Sequence, residues 1–357
     1  MSRHFARAFA LSLLLAGAAA AQPPAPTHKI VATDRQTVNA TITYEITTTK
    51  FAVARWMVFL PEPPELPSQT KVKASVPNAK VVAEKSALAR KVQFIDVPVA
   101  NPAPGGKLGL KLDIEAVLRA RELVPLEKGE KVPKVAALTD AEKKHYLAPG
   151  EQIDFDAPTF KSWMADKKLK AKKDEPPLDL AARVLEVIRA DVRFRFDLKD
   201  DKRVSAACAR SSTDGAGMAY LFVAAMRDNK VPARALVGRL AAPRKAGAKP
   251  GDAEYDQPHV RAEVYVAGVG WVPVNAVGAN LYADQPIKSF IGNDPGDLLV
   301  LHVDPDLLLQ YPAPAPPKPH ATLLQIAPHY QAMGKGGFDA EFGPTGWELK
   351  ATPIEKK

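Results

Sequence analysis

Two periodicities divide this chain. From residue 28 to about 120, apolar positions recur every second residue: Val38, Ala40, Ile42, Tyr44 and Ile46 alternate with Asn39, Thr41, Thr43, Glu45 and Thr47. Leu108, Leu110, Leu112, Ile114 and Ala116 repeat the pattern, and 55–60 is an apolar run stopped by Pro61, Pro63 and Pro64. Successive side chains of a strand point to opposite faces, so these stretches predict half-buried strands. Short strands parted by Pro, Gly and Asn clusters predict a β-sandwich of roughly seven strands over 28–120.

From 178 the period changes. Leu180, Val184, Ile188 and Val192 lie four apart with Ala181 and Leu185 beside them, which makes one apolar helix face. A strand at 192–196, a helix at 215–228, a strand at 231–238 and a hairpin of 260–266 and 269–274 turning at Ala267-Gly268 follow. Helices first and antiparallel strands after predict an α+β domain over 178–305. Residues 121–177 read as a charged connector with a short helix near 138–147. Beyond 306, five prolines within 311–319 predict an extended polyproline-type segment. Strands are expected at 323–326 and 347–351, and Gly334-Lys-Gly-Gly337 reads as a turn because it lacks the spacing of a phosphate loop.

The first 21 residues change the picture of where the chain works. Arg3 and Arg7, the apolar run 9–15 and Ala19-Ala20-Ala21 before Gln22 have the form of a cleavable signal peptide, so an exported, soluble, periplasmic or extracellular protein is expected. No stretch approaches the ~18 apolar residues of a membrane span. The single cysteine, Cys208, rules out an internal disulfide and leaves each domain to its own apolar core. The formal charge of +9 becomes +7 without Arg3 and Arg7 (9 − 2). That balance would suit an anionic cell-envelope ligand. The lysines are dispersed, however, and the densest run (Lys167, Lys168, Lys170, Lys172, Lys173) has no interleaved aromatics, which argues against nucleic acid. No His-Glu-x-x-His, dinucleotide fingerprint or Cys/His pair of metal spacing occurs, so no metal or other cofactor is expected.

Two segments carry the candidate chemistry. One is Asp214-Gly-Ala-Gly-Met-Ala-Tyr-Leu-Phe-Val-Ala-Ala-Met-Arg227 followed by Val231-Pro-Ala-Arg-Ala-Leu-Val-Gly238. The other is His259-Val-Arg-Ala-Glu-Val-Tyr-Val-Ala-Gly-Val-Gly-Trp-Val-Pro-Val-Asn275. Together they resemble the core of the transglutaminase-like superfamily, whose enzymes are Cys-His-Asp hydrolases and acyl transferases. The resemblance covers 178–305 and implies a papain-like, cysteine protease-type α+β core; a leading β-sandwich is similar to the N-terminal module of bacterial members. Counting back from Ala219 and Leu221, the nucleophilic cysteine falls on Gly215, the histidine on His259 and the aspartate on Asn275.

In such enzymes a cysteine at a helix N-terminus is deprotonated with help from the helix dipole and a histidine. Ser212, Thr213 and Asp214 are good helix-capping types, but Gly215 has no side chain. Losing the nucleophile of a comparable triad costs about 10⁶-fold in rate, whereas Asn275 could still orient an imidazole. Cys208 reads either as a small buried hydrophobe or as a displaced nucleophile. His259 reads as inherited packing or a ligand contact, and Trp271 as a core residue between hairpin and helix or a pocket wall. Arg234 is expected to pair with Glu263. Gly215 and Gly217 would leave backbone N–H groups open to an anion. Three functions follow: an inactive polypeptide-binding or scaffolding module with its cleft at Gly215, Gly217, His259, Asn275 and Trp271; a working amidase, peptidase or acyl transferase using Cys208; or a purely structural envelope protein.

Overall fold

A computed structural model describes residues 26–197, 200–242, 247, 258–313, 318–343 and 345–355. The predicted signal segment and the middle of the proline run lie outside the described residues. The N-terminal alternation becomes a sandwich. Its first sheet centres on β1 (His28–Thr47), paired antiparallel with β6 (Lys107–Pro125) on one side. On the other side lie β17 (Glu341–Phe342) and β18 (Gly346–Pro353). The short strands β3 (Gln69–Ser75) and β12 (Asn293–Asp294) add to β6. The second sheet has the order β16 (His329–Lys335), β2 (Ala52–Pro61), β5 (Lys91–Pro98), β4 (Lys80–Ala83). The even residues of β1 meet Trp56, Val58 and Leu60 of β2 in one core, as the period of two requires. The odd residues Met57 and Phe59 face the other way and are covered by β14 (Leu307–Leu309), which pairs with β15 (His320–Thr322).

The helical region opens with α1 (Asp140–His145), started by a capping box between Thr139 and Glu142. After it come α2 (Pro158–Asp166) and α3 (Pro177–Asp191). A small parallel pair follows, β7 (Arg193–Phe194) with β8 (Ser212–Thr213), and between them lies α4 (Val204–Arg210). The central helix α5 (Gly215–Asp228) lies against a sheet ordered β11 (Gly270–Val274), β10 (Pro258–Val266), β9 (Ala233–Leu240), β13 (Leu298–Val303). β9 is buried on both faces: Ala233, Ala235 and Val237 pack on α5, and Leu236 packs with Tyr146, Leu298 and Val300. A last short helix, α6 (Ala276–Leu281), follows β11 directly.

Three features depart from the sequence reading. The strands β16 to β18 complete the sandwich, so it draws on both ends of the chain. Residues 323–326 are no strand; they form an irregular buried stretch in which Gln325 Nε2 donates to the carbonyls of Gly238 (2.9 Å) and His259 (3.0 Å). Gly334 belongs to β16, and the turn comes at Gly336, whose φ of 104° suits glycine.

Buried charges join sandwich to core. Arg121, at the end of β6, is fully buried and binds both Glu263 and Asp294, the latter at 2.8 Å. Glu263 also accepts from Arg234 Nε at 2.6 Å, the pairing expected from sequence. Arg261 binds Asp294 at 2.8 Å and Asp297 at 2.5 Å. Three arginines thus meet three carboxylates, the balance that burial of charge demands.

Candidate functional site

The positions matched to a triad from sequence lie toward one end of the core sheet. The last register pair of β10 and β11 is Ala262↔Val274. Asn275 follows it by one residue and His259 lies three residues beyond it on β10, so both belong to the same end of the hairpin. Gly215 is the first residue of α5, and an ideal Cβ on it would lie 2.9 Å from Val277 Cγ2. Val277 sits in the first turn of α6, two residues after Asn275, and is buried. The isopropyl group of Val277 therefore occupies the space into which a side chain at 215 would project. Nothing in the sequence marks Val277; only the approach of α6 to α5 reveals it.

Two amides at the start of α5 are already taken by its own cap. Asp214 caps it, its Oδ1 accepting from Ala216 N (3.0 Å) and Gly217 N (3.1 Å). Lys202 Nζ lies 2.8 Å from Asp214 Oδ2 and neutralises the cap. The amide of Gly217, read from sequence as open to an anion, is thus taken by the chain's own carboxylate. Gly217 is needed for packing instead, since a Cβ there would overlap Thr213 Oγ1. Asn275 likewise acts locally, with its Oδ1 accepting from Gly278 N at 2.9 Å to cap α6. His259 is buried, and its carbonyl is held by Gln325.

Trp271, also singled out from sequence, stands apart from this cluster. Trp271 pairs with Tyr265 across the hairpin, six residues from His259 and so about 20 Å along the strand. It lies on the face away from α5: Val272 and Val274 take the helix side, while Trp271 stacks on Arg234, 4.1 Å from guanidinium carbon to ring centroid, and meets Tyr146 edge-on. Alternation along β11 forces this, because Trp271 has the opposite parity to the two valines. Arg234, Glu263 and Trp271 therefore form one packed unit, with a structural role that needs no catalysis. Cys208 lies on α4, half-buried against the helical core. Burial pushes its thiol up to about 12, with the Asp154 and Asp191 carboxylates adding to the effect. A reactive thiolate needs the opposite environment.

Among the described residues, cavities of 330–680 Å³ lie on the sandwich and its flanks, and these are lined by residues other than Gly215, His259 and Asn275. No helix among the described residues is long and apolar enough to cross a membrane.

Comparison with known proteins agrees with this architecture. The profile of the transglutaminase-like superfamily matches residues 165–276. A candidate cysteine protease from Cytophaga hutchinsonii superposes with a TM-score of 0.55 at 9% identity, covering 92% of this chain and 94% of that one. The periplasmic domain of TgpA from Pseudomonas aeruginosa is a looser likeness, with a TM-score of 0.36 at 10% identity over 73% of this chain and 98% of that one. No curated protein matches. The mixed α/β chain thus shares the fold of the Cytophaga protein, and its residues 165–276 form a domain of the transglutaminase-like superfamily.

Proposed function

We propose that this is an exported transglutaminase-like protein without catalytic activity, which acts as a polypeptide-binding or scaffolding module. The observation that carries the reading is the pairing of Gly215 with Val277. The nucleophile position has no side chain, and the volume for one is filled by a stiff β-branched residue. Asp214 and Asn275 serve as helix caps, which accounts for their presence without chemistry. The environment of Cys208 disfavours the displaced-nucleophile alternative. With a thiol pushed up to about 12, roughly one molecule in 10⁵ would be thiolate at pH 7. The Asp214 carboxylate on the Ala216 and Gly217 amides disfavours an anion at the helix start. Export rests on the form of residues 1–21.

The test is turnover of peptide amides and activated esters by wild type and by Cys208→Ala. Both should be inert. Wild-type turnover abolished by Cys208→Ala would overturn the proposal.

A further inference from the structure

β6 is 19 residues long, and β1 lies beside it along its whole length. Its other margin is covered only in part, by β12 at 121–122 and by β3 from 113 to 118. Among the described residues no strand pairs with that margin at 107–111. The reason lies in β3. Pro77 has no N–H with which to extend the ladder beyond Ser75. A turn closed by Ala79 N donating to Val76 O (3.2 Å), with Asn78 at a φ of 63°, then carries the chain to β4 in the other sheet. β4 in turn runs beside β5 only from 91 to 94, and among the described residues 95–98 has β2 alone. One corner of the sandwich is therefore open in both sheets.

The backbone groups left at this corner follow from strand parity. Thr48 N donates to Gly106 O on the β1 side (2.8 Å), whereas Arg119 N and Leu123 N donate to Ser68 O (2.8 Å) and Gly292 O (2.7 Å) on the opposite side. β6 itself is unbulged, because the extra residues lie on β1 and β3. Its odd-numbered residues therefore turn their N–H and C=O away from β1. At the open margin these residues are Lys107, Gly109 and Lys111, spaced about 7 Å apart. A Cβ on Gly109 would meet nothing within 4 Å. Leu108 and Leu110 share the inward face of Leu112 and Ile114 but are only half-buried. With Val76, Ile95 and Val97 they line a groove of about 480 Å³. The lysines are already paired, Lys107 with Glu45 (2.6 Å) and Lys111 with Asp113 (3.0 Å), so net charge selects no ligand here.

Whatever fills this corner must supply two things together: N–H and C=O groups at strand spacing, and apolar side chains at every second position. An extended polypeptide has both, whereas an aliphatic ligand leaves the backbone row to water. A strand placed there continues the ladder that β3 already forms on the same margin. Gly109 suits it, since a glycine within a strand lets another backbone approach closely. A second copy of this chain is the wrong partner. Paired antiparallel about Gly109, Lys107 of each copy would face Lys111 of the other, and like charges directly opposite are unfavourable. We propose that the 107–111 margin of β6 is a strand-addition site for an extended segment of a different polypeptide. That segment runs antiparallel to β6, and its alternate apolar side chains enter the groove beside Leu108 and Leu110. The site belongs to the sandwich and is not lined by Gly215, His259 or Asn275, so it stands whether or not the core is inert.

The test is hydrogen exchange, read residue by residue by NMR, on the chain from Gln22 onward with a synthetic peptide of alternating valine and threonine ended by glutamates. Bound peptide should slow exchange at the amides of Lys107, Gly109 and Lys111 by about tenfold or more. The amides of Leu108 and Leu110, already bonded to β1, should not change. With its valines in the groove, the peptide bonds β6 through its threonines. N-methylation of the threonines should therefore weaken binding about tenfold or more, and N-methylation of the valines should not. Gly109→Pro should abolish the protection at Lys107 and Lys111 while the thermal midpoint stays near wild type, since proline is tolerated where the N–H faces away from the ladder. Leu108→Ser with Leu110→Ser should weaken binding about tenfold or more through the groove alone. Equal protection of odd and even residues, protection only elsewhere, or none at millimolar peptide would overturn the proposal. Protection that rises with protein concentration without peptide would overturn it in favour of a second copy.

Discussion

Placing a thiol at position 215 tests the central packing observation. A Cβ at this glycine would stand 2.9 Å from Val277 Cγ2, with Val277 Cγ1 and Cβ at 3.8 and 3.9 Å. Val277 is buried on the short helix capped by Asn275 and has one strongly preferred rotamer there, so it cannot swing aside cheaply. Overpacking of this kind costs about 1–3 kcal/mol. Replacing a helical glycine returns about 0.5–1 kcal/mol. Gly215→Cys should therefore be destabilised by about 1–2 kcal/mol, which denaturant titration resolves. Val277→Ala alone should cost about 2 kcal/mol through the void it leaves. In the double variant the thiol fills that void, so the two changes should couple favourably by about 1–2 kcal/mol. Additivity within ~0.5 kcal/mol would refute the claim that Val277 closes the site. The same variants, built on Cys208→Ala so that one thiol remains, report on the geometry between position 215 and His259. Iodoacetamide should label the double variant faster at neutral pH than an unperturbed thiol with a pKa of ~8.5, and His259→Ala should cancel the gain. A thiol indifferent to His259 would show that the imidazole does not address position 215.

Four further outcomes follow from buried polar groups and close contacts. Arg121→Met leaves Glu263 and Asp294 each short of a cation in a dry interior, and urea titration should show a loss of about 3–5 kcal/mol. Gly217→Ala, usually stabilising inside a helix, should destabilise here because of Thr213, and Thr213→Ala in the same chain should rescue it. His302 donates from Nδ1 to the Asp304 carbonyl at 2.8 Å, and its Nε2 accepts from Leu324 N at 3.3 Å, so the ring is held neutral. Burial, reinforced by Arg90, lowers its pKa from 6.5 to about 3. The unfolded chain then binds a proton that the folded chain refuses, so stability falls as pH drops through the window from 6.5 to 3, by about 2 kcal/mol at pH 5. His302→Gln should flatten the wild-type stability profile between about pH 7 and pH 5, and an unchanged profile would contradict this protonation state. Asp306, pushed up to about 6 by burial, acts with the opposite sign over about pH 4–6, so Asp306→Asn should steepen the same profile.

Local pattern was enough to place much of this protein. The alternation from Val38 to Ile46 lies in β1, the four-residue period from Leu180 in α3, and the helix expected at 215–228 spans Gly215–Asp228. The Arg234–Glu263 pair was also legible, and the two residues face each other across the paired strands β9 and β10. Hydrophobic period and capping chemistry act over a few residues, so the sequence displays them directly. That Gly215 offers no side chain at the start of α5 was visible in the same way.

What surrounds that position was not. Val277 reaches Gly215 only because α6 turns back onto the start of α5, a contact between residues 62 positions apart (277 − 215). The strands β16 to β18 close a sandwich begun some 300 residues earlier, and Arg121 finds its carboxylates on β10 and β12. Trp271 went to the face opposite its expected place because the parity of β11 had to be settled by which residues meet α5. These outcomes depend on how elements pack once their apolar faces are buried together. Packing compares every pair of surfaces in the chain, whereas a sequence motif compares only neighbours along it.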